Sequence, residues 1–255
     1  MNDINAADSP FQVIVLGVGD AFSARYSPTS LLLRAEGDTL AIDCPDMYRA
    51  VLRRASRAGD LSLDVADVDR VLITHLHGDH VGGLEGLAFY KRFVENKRLA
   101  LYCPPEVRRD IWTRRLAVAM DTLYDGERYR EMSFEDYFDC TVLDWDAEHT
   151  VGAFTLALRR TVHHIPTAAL FVRAAGRALG YSCDTAFDRE LVDWLARADL
   201  VIHETNFGAA HTPYEKLAAL PAELRERMRL VHYSDLFDLD ASVIEPAREG
   251  DCLTV

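Results

Sequence analysis

The chain has 255 residues, 49% of them hydrophobic and 27% charged, the proportions of an ordinary soluble globular protein with enough apolar material for one large core. Its 28 basic side chains against 41 acidic ones leave a formal charge of -13, which argues against a protein whose main task is gripping a long polyphosphate backbone. No run approaches the roughly 18–20 apolar residues of a membrane span, and Met1 to Pro10 is acidic and polar, unlike a leader peptide, so the cytoplasm is the expected compartment.

Phe11 to Leu16 reads as a short strand feeding the turn Gly17-Val18-Gly19-Asp20, and Leu31 to Leu33 and Thr39 to Ile42 read as two more strands around Glu36-Gly37-Asp38. Met47 to Ala58 carries apolar residues at helical spacing until Gly59 stops it. Arg70 to Thr74 is a strand, Leu84 to Lys97 a helix and Leu99 to Cys103 a strand. Pro104-Pro105 then opens a helix expected to run to about Leu123.

Residues 124–140 are polar, acidic and aromatic without a clean period, and read as a surface insertion near the site. The strand pattern resumes at Val142 to Leu143, Phe154 to Arg160, Ala168 to Ala174 and Ala178 to Tyr181. A helix over Arg189 to Ala196, a buried strand over Leu200 to His203, a helix over Glu215 to Met228 and a strand over Arg229 to His232 complete the pass. Strand meanders with interspersed helices predict an α/β fold, an αββα sandwich of two packed mixed β-sheets flanked by helices. With no repeat or linker, residues 1–255 are expected to form a single domain. Cys44, Cys103, Cys140, Cys183 and Cys252 are odd in number and scattered. They suggest neither disulfides nor a thiolate metal site, and read as buried small hydrophobes.

Chemistry concentrates in Thr74-His75-Leu76-His77-Gly78-Asp79-His80, where three imidazoles and a carboxylate follow a strand end and Gly78, Gly82 and Gly83 relax the backbone. Neutral imidazole nitrogens with a carboxylate oxygen suit zinc, manganese or iron, and a strand before and a helix after give H-x-H-x-D-H the context it needs. The alternative is a polar surface loop that happens to be rich in histidine.

This loop resembles the signature of the metallo-β-lactamase superfamily, and the likeness extends over most of the chain toward the ribonuclease Z branch and its phosphodiesterase relatives. Leu16-Gly17-Val18-Gly19 and Asp43-Cys44 resemble that branch's L-G-x-G and D-C elements, with Pro45 where glycine is usual. The resemblance implies two divalent metal ions, zinc first, with manganese or iron also suited. His75, His77 and His163 would complete one site, Asp79, His80 and His232 the other, and Asp184 would bridge them. Asp43 would orient the loop. Singly, His163 and His232 would be ordinary structural histidines and Asp184 a helix N-cap. His164 competes with His163, which is preferred from its distance to Pro166.

Ile202-His203-Glu204-Thr205-Asn206-Phe207 and His211-Thr212 resemble the ribonuclease Z elements in which a glutamate and a later histidine pair beside the metals. Carried over, Glu204 would orient His211 as proton donor to a leaving alkoxide, and Asp79 would share the proton of the attacking metal-bound hydroxide. His149 reads as a surface residue and His203 as a packing residue. Transfer-RNA-processing members carry a long arm between the third histidine and the bridging aspartate, and the span from His163 to Asp184 is too short for one. The expectation is therefore a phosphodiesterase acting on a small phosphodiester, such as a cyclic nucleotide or short oligonucleotide, and, from the resemblance, a homodimer. Extended nucleic acid is disfavoured as a partner and no membrane is expected. The competing readings are a ribonuclease Z-type processing endonuclease, a hydrolase of lactones or thioesters, and a non-catalytic binding protein on the same fold.

Overall fold

A computed structural model describes residues 10–255, so the reading of residues 1–9 lies outside the described residues. The first half runs β1 (Gln12–Gly17), β2 (Ser30–Ala35), β3 (Asp38–Ile42), α1 (Tyr48–Ala58), β4 (Arg70–Leu72), α2 (Gly78–Val81), α3 (Leu84–Phe93), β5 (Leu99–Cys103), α4 (Pro105–Ile111), a π-helical turn over Trp112–Leu116, α5 (Ala117–Met120), β6 (Thr122–Tyr124), β7 (Tyr129–Glu131) and β8 (Phe138–Val142). The second runs β9 (Glu148–Val151), β10 (Phe154–Arg160), β11 (Ala168–Ala174), β12 (Arg177–Tyr181), α6 (Arg189–Leu195), β13 (Leu200–Glu204), α7 (Tyr214–Ala218), α8 (Ala222–Glu226), β14 (Met228–Val231) and β15 (Cys252–Thr254).

These strands make a seven-stranded sheet in the order β15-β1-β2-β3-β4-β5-β8 and a six-stranded sheet in the order β14-β13-β12-β11-β10-β9. Antiparallel meanders begin each sheet in sequence and parallel crossovers extend it, as helices between strands require. Because side chains alternate across a strand, Val13 and Val15 of β1 and Leu31 and Leu33 of β2 enter the core between the sheets, where they join Phe154, Leu156, Leu170 and Val172. Ile14, Leu16 and Leu32 point the other way, into a second core under α1 and α3 with Leu52, Leu84 and Leu87. Leu191 and Leu195 of α6 cover the outer face of the second sheet. The result is the expected αββα sandwich.

Several expectations change. The helix read over Glu215 to Met228 is two short helices, because Pro221 lacks the amide hydrogen and disfavours helical backbone at Leu220. The helix opened by Pro104-Pro105 ends at Met120 after its π turn, and residues 122–131 form a hairpin. Within 124–140, Tyr124 and Tyr129 are exposed, whereas Phe134, Tyr137 and Phe138 are buried and β8 pairs with β5. A short 3₁₀ turn capped by Ser133 and Asp136 precedes β8, so the aromatic spacing there follows no single period. Cys44, Cys103 and Cys183 are buried, but Cys140 is half-buried and Cys252 is exposed on the edge strand β15, so the buried reading of all five cysteines is corrected. No described helix is long and apolar enough to cross a membrane.

Candidate metal centre

Strand ends of both sheets deliver the titratable residues to one edge of the sandwich. The histidine loop follows β4, Val162-His163-His164 follows β10, Cys183-Asp184 follows β12, Glu204 closes β13 and His232 follows β14. Glycine makes the crowding possible at one point. A β-carbon at Gly83 would lie 2.1 Å from the carbonyl oxygen of Pro45, so only glycine lets the Asp43-Pro45 turn close on the histidine loop. Two backbone hydrogen bonds lock that contact, Cys44 N to His80 O (2.7 Å) and Gly83 N to Cys44 O (2.9 Å).

One donor group consists of His75, His77, His163 and Asp184. The Nδ1 of His77 lies 3.1 Å from the Nε2 of His75 and 3.1 Å from the Nε2 of His163. Asp184 Oδ2 lies 3.8 Å from the first of those Nε2 atoms and 3.5 Å from the second. Ligands at about 2.0–2.1 Å around a tetrahedral zinc stand about 3.3 Å apart, so these separations match the edges of such a polyhedron. Hydrogen bonding alone does not account for them, because one proton on His77 Nδ1 serves only one of its two neighbours.

Asp79, His80 and His232 form a second group, Asp184 reaches its two histidines, and Asp184 and His232 also group with His211. His80 Nε2 and His232 Nε2 each lie 3.4 Å from Asp79 Oδ2. Asp184 places Oδ1 3.4 Å from His80 Nε2 and Oδ2 3.5 Å from His232 Nε2. His80 Nε2 and Asp184 Oδ1 are buried and have no hydrogen-bond partner, a costly arrangement that a divalent cation between them would relieve. The donor set of neutral imidazoles and carboxylates fits such an ion.

The surroundings prepare these atoms. Burial, with the neighbouring imidazoles, pushes His75 well below the ordinary histidine pKa, and burial pushes His163 down to about 4, so both rings are neutral with lone pairs to give. Burial opposes ionisation of Asp184, but His232 and His80 outweigh it and hold the carboxyl well below the usual range. Burial also opposes a charged His80, yet Asp184 and Asp43 raise its pKa well above the ordinary histidine value. The remaining ring nitrogens are mostly anchored, which fixes ring orientation. His80 Nδ1 meets Asp43 Oδ2 at 2.8 Å, His163 Nδ1 meets Ala210 O at 3.0 Å, and His75 Nδ1 meets Thr74 Oγ1 at 3.0 Å. Asp43 also accepts from the Thr74 amide at 2.8 Å.

Glu204 is fully buried. Its Oε1 accepts from Thr185 N (2.9 Å) and pairs with His211 Nδ1 (3.1 Å). The His211 ring stacks on His232 with centroids 5.2 Å apart and planes 17° apart, and stands edge-on to His163 at 5.2 Å, so it spans both donor groups. His164 is exposed and belongs to neither group, whereas the His163 side chain is almost wholly buried within one. His203 is buried, bonded through Nδ1 to Glu204 O (2.7 Å) and pushed by burial down to about 4, outside both groups. His149 bonds to Asp144 O away from the centre.

Sequence reasoning missed Thr74, Cys183 and Thr185. Cys183 Sγ donates to Thr74 Oγ1 at 3.1 Å beneath the centre. It also missed that Asp43, Cys183 and His232 adopt positive φ (65°, 50° and 59°), a strained conformation for residues with a β-carbon that turns the chain inward at the centre. Aspartate and histidine tolerate that region better than most residues, a preference too weak to single out Asp43 and His232 from the sequence.

The model of the family described as Anti-Pycsar protein Apyc1 matches residues 11–248. Anti-Pycsar protein Apyc1 of Paenibacillus sp. (strain J14) is 33% identical over 228 residues, covering 87% of this chain and 88% of that one. Its namesake in Bacillus phage BSP38 is 30% identical over 240 residues, 88% and 89% of the two chains. Among solved structures, the metallo-β-lactamase fold protein YhfI from Bacillus subtilis superposes with a TM-score of 0.74 at 18% identity, over 96% of this chain and 99% of that one. Human tRNase Z, short form, superposes with a TM-score of 0.69 at 22% identity, over 95% and 98%. These likenesses identify the metallo-β-lactamase fold.

Proposed function

The chain belongs to the family of anti-Pycsar protein Apyc1, and from that premise we propose that it is a metal-dependent phosphodiesterase acting on a small phosphodiester, a cyclic nucleotide or short oligonucleotide. The observation that carries the reading is His211, held by Glu204, stacked on His232 and edge-on to His163, between two donor groups that Asp184 joins. His75, His77, His163 and Asp184 would hold one divalent ion and Asp79, His80, His232 and Asp184 a second, with zinc the first candidate. When bound, these ions supply Lewis acidity toward water and phosphate oxygens.

The protein's own groups do the rest. Glu204 holds His211 by Nδ1, and in its imidazolium form His211 carries a second proton on Nε2 that it would give to the departing alkoxide as the phosphorus-oxygen bond breaks. Asp79, besides its place in the second donor group, would share the proton of the attacking water by accepting its hydrogen bond. Asp43 keeps the histidine loop in register. A small substrate is favoured over transfer RNA because the link from His163 to Asp184 is the hairpin β11-β12, turned at Ala175-Gly176, with no room for a gripping arm. The net charge of -13 points the same way.

The test is a panel of a cyclic nucleotide, bis-p-nitrophenyl phosphate, precursor transfer RNA, a lactone and a thioester, run with added zinc or manganese. Faster turnover of the small phosphodiesters supports the reading, and exclusive opening of the lactone or thioester defeats it. Light scattering on the same preparation decides the homodimer that the resemblance implies.

A further inference from the structure

Beside His77 lies a cavity of about 340 Å³ whose walls include Leu76, Val107, Ile165, Pro166 and Arg115. That volume lies in the range of small-molecule sites, and the mixture of apolar wall with a few fixed polar groups is what such sites use. Its charges are unequal in what they can still do. Glu106 is engaged by Arg160 and by Trp145 Nε1 (3.0 Å), and Asp110 by Arg109 and Arg114. Among the described residues Arg115 makes no ion pair. Its Nη1 donates to the carbonyl of Leu76, inside the histidine loop, at 3.3 Å, and its Nη2 lies 3.9 Å from where a β-carbon of Gly78 would stand. Arg115 is half-buried, its guanidinium anchored over the histidine loop by one nitrogen with further N–H donors still open.

Arg115 also sits in the π-helical turn Trp112–Leu116 that interrupts the run from α4 to α5. Such turns concentrate at functional positions because they displace a side chain from the regular helical track. A planar guanidinium that is not neutralised and borders an apolar cavity is suited to pair with two oxygens of a phosphate.

We propose that Arg115 is a substrate-binding residue that takes a phosphate oxygen of a nucleotide whose nucleoside portion rests against Leu76, Ile165 and Pro166 beside His77. The inference rests on the phosphodiesterase reading for its physiological meaning, but its central statement concerns binding. Arg115 selects for phosphate-bearing ligands, and the apolar wall selects for a ring system attached to the phosphate.

The experiment compares zinc-loaded wild type, Arg115→Ala and Arg115→Lys by calorimetric titration with a nucleoside 5′-monophosphate and with the unphosphorylated nucleoside. Metal content, Tm and KM for a phosphodiester are measured alongside. Arg115→Ala should weaken monophosphate binding and raise KM at least tenfold, with metal content and Tm retained and nucleoside binding unchanged. Arg115→Lys should recover part of the loss. Equal monophosphate affinity in wild type and Arg115→Ala, or no monophosphate binding to wild type, overturns the inference. A loss that tracks falling metal content or Tm also overturns it, since the arginine would then only pin the Leu76 carbonyl. Arg115-dependent binding without hydrolysis of any phosphodiester would sink the phosphodiesterase reading and leave this site standing. Hydrolysis undiminished in Arg115→Ala would do the reverse.

Discussion

Asp184 Oδ1 and His80 Nε2 face each other at 3.4 Å, both buried and neither hydrogen-bonded to anything else in the protein. Asp184 simultaneously turns Oδ2 toward His163 and His232, so one carboxylate serves two groups of donors. Replacing it removes a donor from both. Asp184→Ala should lower metal content and reduce turnover by on the order of a hundredfold or more, since even residues that only orient ligands cost 10- to 100-fold. Elemental analysis by mass spectrometry beside a bis-p-nitrophenyl phosphate assay checks this, and an Asp184→Ala protein with full metal and full activity refutes the shared role.

Asp43 acts one step back, through His80 Nδ1 at 2.8 Å and the Thr74 amide at 2.8 Å. Asp43→Asn keeps the shape and loses the negative charge behind the imidazole. Zinc affinity, read by competition with a chromophoric chelator, should fall by about 10- to 100-fold, with the fold retained by circular dichroism.

In the proposed mechanism Glu204 and His211 would separate chemistry from metal binding. His211→Ala should lower kcat by about 10²- to 10⁴-fold, the usual contribution of a placed proton donor, while metal content stays at the wild-type level. Glu204→Gln should show a smaller loss in the same direction. If metal leaves together with activity in His211→Ala, the histidine is a ligand and the assignment is wrong.

The outline of this centre is legible in the amino-acid sequence because its donors follow short apolar strand runs, and such runs place their successors at a sheet edge. Thr74 to His80 after β4, Asp184 after β12 and His232 after β14 all follow that rule. Less legible is whatever depends on contacts distant along the chain. Tyr137 and Phe138 are buried through β8 pairing with β5, which no local period announces. Arg115 faces the histidine loop because a π turn shifts its side chain, and Pro221 divides a helix whose apolar spacing continues across it. The left-handed backbone at Asp43, Cys183 and His232 follows no local sequence period, and the preference of aspartate and histidine for it is too weak to locate it.

Gly83 tests the mechanical basis of the site. Its α-carbon faces the Pro45 carbonyl oxygen where a side chain would project, and backbone on both sides has little freedom to retreat. Gly83→Ala should destabilise the protein by about 1–3 kcal/mol, the usual cost of overpacking, measured as a lower urea midpoint at unchanged slope. An unchanged midpoint would mean that the turn over Asp43-Pro45 yields easily.

Metal removal should loosen the whole edge. At a free ion concentration about a hundred times Kd, binding stabilises the folded state by about 2.7 kcal/mol, so chelation should lower Tm by roughly 5–10 °C in a chain of this size. Differential scanning fluorimetry with and without a chelator, followed by zinc re-addition, reads this directly. A Tm indifferent to both treatments would contradict the metal assignment.

The most direct test of the proposed activity is the rate at which zinc-loaded protein opens a 3′,5′-cyclic nucleotide, followed by chromatographic separation of the product. A phosphodiesterase of this kind yields a nucleoside monophosphate, formed at a rate that disappears on chelation and exceeds cleavage of precursor transfer RNA. Intact cyclic nucleotide, together with metal-dependent cleavage of precursor transfer RNA or of a lactone, would contradict it.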